Sequence, residues 1–189
     1  MTVARSAGLA LLLVVLLSAC ATPTRMTDTL AEQDREQWFA AHDRWAVSGR
    51  LGLSDGERGG QLSFRWLAEA DAHEVDISTV TGGRRWQLRY GPGMAELEGS
   101  DFELRVASDP DELVSDAVGW PVPVRALAYW IRDLTPPAEL NGAESGWELS
   151  IQRYTETDAG LLLPVRLQAE QAPYRVRIAL RNWQLPVTD

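Results

Sequence analysis

Apolar side chains recur at every second position in stretch after stretch of this sequence, and that period leaves the chain few ways to fold. Over residues 60–67, Leu62, Phe64 and Trp66 alternate with Ser63 and Arg65. Val75 and Ile77 alternate with Glu74 and Asp76, and Trp86, Leu88 and Tyr90 with Gln87 and Arg89. Phe102, Leu104 and Val106 repeat the pattern, as do Trp147, Leu149 and Ile151. It returns in Leu161, Leu163, Val165 and Leu167, then in Tyr174, Val176, Ile178 and Leu180. Such runs set one face of a strand on a core and the other in water, as antiparallel sheets do. Asp55-Gly56, Gly82-Gly83 and Gly91-Pro92-Gly93 mark turns between them. The reading is eight or more antiparallel strands, with Pro164 marking an edge or a bulge.

The period breaks over residues 108–134. Asp109, Pro110 and Glu112 form a helix start with a capping side chain, a first-turn proline and a capping-box acid. Gly119 ends that helix; Pro123 starts a second, with Val124, Leu127, Ala128 and Ile131 at helical spacing, and Pro136-Pro137 close it. These helices are the natural cover for an apolar sheet face, aided by a helix from Thr27 to about Asp43.

The N-terminus follows another logic. Arg5 precedes an apolar run from Ala7 to Leu17, too short to span a bilayer but matching an export signal. Leu17-Ser18-Ala19-Cys20 then resembles a lipobox, where the thiol is acylated and the peptide is cut before it. Cys20, the chain's one cysteine, therefore reads as a lipid anchor, and Ala21 in place of an aspartate points to an outer membrane. The expected organisation is a signal peptide at 1–19, a lipidated tether at 20–26 and a single domain at 27–189 with its helical lid at about 109–134.

Catalytic patterns are missing from the sequence: no Gly-x-Ser-x-Gly, no His-Glu-x-x-His, no phosphate-binding loop. His42 and His73 read as ordinary residues, and Asp109, Asp111 and Glu112 as helix-start acids rather than metal ligands. No enzyme, metal or cofactor is expected. A net charge of −9 argues against a nucleic-acid partner. What stands out is apolar surface, including eight tryptophans. Alternation alone leaves open whether the space inside the sheet is a filled core, with a structural role, or a cavity that binds or senses lipid.

Residues 45–53 (WAVSGRLGL), 118–134 (VGWPVPVRALAYWIRDL) and 163–185 resemble the outer-membrane lipoprotein LolB family, in the right order and with the lipobox in place. The resemblance implies an α+β fold, an open, incomplete antiparallel barrel with a helical lid over a hydrophobic cavity. It implies a monomeric receptor facing the periplasm. Such a receptor accepts acylated lipoprotein cargo from the carrier LolA and inserts it into outer-membrane lipid without ATP. On that reading, alternation places Leu62, Phe64, Trp66, Val75, Ile77, Trp86 and Leu88 on the cavity wall. Helical spacing adds Trp120, Leu127, Trp130 and Ile131 from the lid. The family's membrane-touching loop falls at Val80, Thr81 and Gly82, where Thr81 stands at the expected leucine and Val80 is the nearest apolar residue.

Overall fold

A computed structural model describes residues 24–119, 121–140 and 146–186; Cys20 and Trp120 lie outside them. Contacts divide the chain into two units, residues 1–31 and 32–189. Of the first, only the opening of helix α1 (Thr24–Ala41) is described, and the second carries everything that follows.

Nine strands among the described residues form one antiparallel sheet. Six run in succession: β1 (Arg44–Ser54), β2 (Gly59–Glu69), β3 (Ala72–Thr79), β4 (Arg85–Gly91), β5 (Met94–Gly99) and β6 (Phe102–Ala107). Helices α2 (Pro110–Val118) and α3 (Val124–Trp130) follow, then β7 (Glu148–Glu156), β8 (Leu162–Gln171) and β9 (Tyr174–Gln184). The order β6-β5-β4-β3-β2-β1-β9-β8-β7 makes two meanders joined where β9 pairs with β1. Among the described residues β6 and β7 are not paired to each other, so the sheet stays open.

Register explains the one-sidedness. Val47 faces Trp66, Gly49 faces Phe64 and Leu51 faces Leu62 across β1–β2, while Leu51 also faces Ile178 on β9. Paired residues point to the same side, so the alternations add up to one continuous apolar face. At the seam the fit is tight. A Cβ on Gly49 would lie 2.3 Å from the carbonyl oxygen of Ala179 and 2.9 Å from the Phe64 ring.

The helices start as their sequence dictates. Asp109 caps α2, accepting from the Asp111 amide, with Pro110 in the first turn and Gly119 left-handed at the C-terminus (φ 81°). Helix α3 stops at Trp130, well before Pro136-Pro137. Backbone bonds from Asp133 to the Trp130 carbonyl and from Leu134 to the Tyr129 carbonyl tighten the turn, and Asp133 takes φ 55°. The α1 helix begins at Thr24, earlier than the sequence suggests, and ends at Ala41.

Two strand readings need correction, and a third resolves to one of its alternatives. Leu104 and Val106 do not share a buried face with Phe102. A register shift between Leu97 and Gly99 intervenes, and both lie exposed on the edge strand β6. Leu149 is likewise exposed on the other edge, β7. Pro164 marks a bulge but no edge: β8 is an inner strand, and Pro164 lies beyond the last β8–β9 pair, opposite register shifts in β7. There its missing N–H breaks no ladder bond with β9.

Gly49→Ala is expected to destabilise the fold by about 1–3 kcal/mol through overpacking, read from the denaturant midpoint. Gly60→Ala, whose Cβ meets nothing within 4 Å, serves as the near-neutral control.

Candidate functional site

Between the apolar face and the helical segment lies a cavity of about 350 Å³, within the size range of small-molecule pockets. Leu62, Phe64, Trp66, Val75, Ile77, Trp86, Leu88, Leu127 and Ile131 all line it. Trp130 does not: it is buried, but outside this lining. Val124, Leu127 and Ile131 fall on one stripe of α3, and at 100° per residue Trp130 sits off that stripe.

The cavity is graded from floor to rim. Phe64, Trp66, Val75, Leu88 and Leu97 are buried on its sheet side, and Leu127 and Ile131 are buried opposite them on the helical side. Leu51, Leu53, Leu62, Ile77, Trp86 and Phe102 are only partly buried, and Val118 is 44% exposed. These rim residues sit at one end of the sheet, by the 55–58, 80–84 and 100–101 turns and the end of α2. Only Arg84 and Asp101 bring charge to the lining. They pair at 3.7 Å, and the Trp86 indole donates to Asp101 at 2.8 Å.

At the opposite end aromatic rings close the space. Trp66 lies between the two regions: its ring lines the cavity, and its indole N–H donates to His73 Nδ1 at 3.0 Å. His73 stacks on Tyr90 at 4.5 Å, and Trp45 approaches Trp66 and Trp183. The Arg132 guanidinium lies over Trp45, Phe39 and Tyr129. Burial, reinforced by Arg132, pushes the His73 pKa down to about 4. The imidazole is therefore neutral and accepts from Trp66, a packing role rather than a catalytic one.

Side-chain bonds bind α2 and α3 to each other. Arg125 pairs with Asp109 at 2.8 Å and Asp111 at 3.1 Å, and its backbone N–H donates to Asp111 at 2.9 Å. Burial raises the Asp111 pKa against the opposing pull of Arg125. Beyond α3, the buried Arg35 of α1 pairs with Asp133, which also accepts from the Tyr154 hydroxyl at 2.9 Å. Burial raises the Asp133 pKa too.

The 80–84 turn joins β3 to β4, closed by bonds from the Thr79 amide to Arg84 and from the Gly82 amide to Thr79. Val80 is 49% exposed, and Thr81 and Gly82 are exposed beside it. Among the described residues no three His, Cys, Asp or Glu side chains assemble as a metal-binding set.

Sequence reasoning overlooked several lining residues. Leu51 and Leu53 continue an alternation from Trp45 and Val47 that Gly49 interrupts, a readable signal. Val114, Ala117 and Val118 fall at helical spacing on α2. Ile178 and Phe102 were legible as apolar strand positions but not as cavity wall.

The sequence model of the family described as outer membrane lipoprotein LolB matches residues 43–183. A protein named outer-membrane lipoprotein LolB from Alkalilimnicola ehrlichii is 34% identical over 95% of this chain and 95% of its own length. One of the same name from Azoarcus sp. is 30% identical, covering 95% of each. A solved structure of a DUF1329 family protein from Desulfovibrio piger superposes with a TM-score of 0.49 at 9% identity, over 83% of this chain and 91% of that one.

The buried neutral histidine makes stability depend on pH. An unfolded His73 takes its proton near 6.5, the folded one only near 4, so the unfolded chain binds more protons in between. This contribution is present above about pH 6.5 and is lost as the pH falls towards 4. His73→Gln, which keeps an acceptor for Trp66, is expected to flatten the fall of the urea midpoint across that window.

Proposed function

The chain belongs to the outer-membrane lipoprotein LolB family, and on that premise we propose that it is a receptor for acylated lipoproteins. It takes cargo from the periplasmic carrier LolA into the cavity and passes it to the inner leaflet of the outer membrane. Cys20 anchors it there through its lipid, with the domain in the periplasm. The observation that carries this reading is the graded apolar cavity, lined by buried side chains at its inner end and open at its rim.

Energetics explain the need for such a space. An acyl chain of about sixteen carbons costs on the order of 12 kcal/mol to expose to water, at ~0.8 kcal/mol per methylene. Release into solvent is therefore slow, and the chain must pass from one apolar enclosure to the next. Transfer runs down a gradient of affinity, from carrier to receptor to bilayer, with no ATP. A ligand moves such an equilibrium only through the difference in its affinity for the two ends.

On this reading α2 and α3 are the lid. Arg125 makes them one body, so opening swings the pair about the segments before Asp109 and after Trp130. The Arg35–Asp133–Tyr154 cluster holds the second of these. The exposed Val80 turn, followed by Arg84 and Arg85, is the part that touches the leaflet during insertion, where arginines meet anionic headgroups.

Carrier loaded with radiolabelled lipoprotein should hand its label to this protein without ATP, and then to liposomes; cargo that stays on the carrier would refute the receptor reading. Ala117→Trp sets a large ring in the cavity wall and should cut acceptance tenfold or more while circular dichroism is unchanged. Val80→Glu should accept cargo normally and release it into liposomes several-fold more slowly.

A further inference from the structure

The outer face of the sheet carries a feature that, beyond Arg85, cargo transfer as proposed does not use. Arg50 on β1 lies in register between Ser63 on β2 and Ala179 on β9. Ala179 faces Arg166 on β8, and Arg166 faces Arg153 on β7. In the other direction Ser63 faces Ser78 on β3, and Ser78 faces Arg85 on β4. One row crossing seven strands is thus built of arginine, serine and alanine, with no carboxylate in it. The next row adds Arg65 and Arg181 on either side of Ser48, and there Arg65 faces Asp76 on β3.

These arginines are exposed, and among the described residues Arg50, Arg65, Arg153, Arg166 and Arg181 are in none of the ion pairs. Their neighbours elsewhere do: Arg175 pairs with Glu170, and Arg89 with Glu74 and Glu96. A shallow groove on this face is lined by Arg50, Arg166 and Arg177 together. The chain has no lysine and a net charge of −9, so the concentration of free guanidinium here runs against the whole.

We propose that this belt is a docking surface for an anionic phospholipid bilayer, which rests on the membrane placement proposed above and extends it from one loop to a sheet face. Charge complementarity selects the partner. Guanidinium forks and serine hydroxyls suit phosphate oxygens. The row offers no aromatic or large aliphatic anchor of the kind a protein interface centres on. The acids of the far strands do not cancel it. Asp76 faces Arg65 and Glu98 lies one strand beyond β4, so the uncancelled part of the belt is Arg50, Arg153, Arg166 and Arg181; from β1, Glu98 is four strands away, roughly 19 Å, against a screening length of ~8 Å at physiological salt.

The test uses the full-length anchored protein and phenylglyoxal, which modifies arginine, with sites read by mass spectrometry. It compares vesicles of phosphatidylcholine alone with vesicles holding about one-third phosphatidylglycerol. On the anionic vesicles Arg50, Arg153, Arg166 and Arg181 should react about fivefold more slowly, the factor that matches the usual hold on one basic side chain at such a surface. Arg89 and Arg105 should not change, and about 0.5 M salt should abolish the difference. Arg50→Glu with Arg166→Glu should remove the protection at Arg153 and Arg181. Equal rates on both vesicles overturn the proposal, and so does protection that requires cargo-loaded carrier instead of anionic lipid. Run beside the transfer assay, the two ideas separate: transfer without protection sinks the belt alone, and protection without transfer sinks the receptor reading alone.

Discussion

A sheet that is apolar along one whole side has to keep that side from water, and the rest of this molecule is arranged around how far it does so. The gain from covering apolar area is ~25 cal/mol per Å², so an uncovered face of this width would dominate the energetics. At one end aromatic rings close the space: Trp45, Trp66, Tyr90 and the partly buried Trp183 gather there, with Arg132 spread over three rings. At the other the helices leave a space, and Leu51, Leu62, Ile77 and Trp86 stay partly in contact with solvent. The unevenness is local, since both ends share the same strands and differ in what lies above them.

Two polar devices hold the cover in place without filling the space. Arg125 fastens α3 to the capped start of α2, and the buried Arg35 fastens the turn after α3 through Asp133. Burying a guanidinium is costly unless it is paired, so Arg35 ties α1 to that turn for as long as the turn stays closed. Both devices sit at the ends of the helical segment and neither sits over the cavity. The contacts over the cavity itself are apolar and nondirectional, such as those of Val114, Ala117 and Leu127.

Much of this was legible in the sequence because period and position agree. The strands around Phe64, Val75, Trp86 and Ile178, and the capped start of α2, declare themselves locally. Strand β5 did not: Met94-Ala95-Glu96-Leu97-Glu98 is built of good helix formers, and it is a strand because β4 and β6 flank it. Leu104 and Val106 read as core because alternation cannot register a bulge or an edge. Nor can alternation tell a full interior from an empty one, since the same side chains line both. Trp130 shows the limit on helices, where a large apolar residue near the right stripe is buried elsewhere. The row of arginines from Arg85 to Arg153 is spread over strands far apart in sequence, so only pairing register brings it together.

The period of two that makes the apolar face necessarily makes a second face, and the two work on different energy scales. Enclosing one acyl chain is worth on the order of 12 kcal/mol, a hold that only another apolar phase can release. Each arginine near an anionic surface contributes ~1 kcal/mol, and salt erodes it. A strong, dry site on one side and a weak, wet one on the other cannot substitute for each other. The inner face can keep a tail from water but cannot sense a bilayer at a distance. The outer face can turn the domain towards a charged surface but cannot retain cargo. On the receptor reading and the proposed belt, one alternating pattern carries both the retaining face and the orienting one.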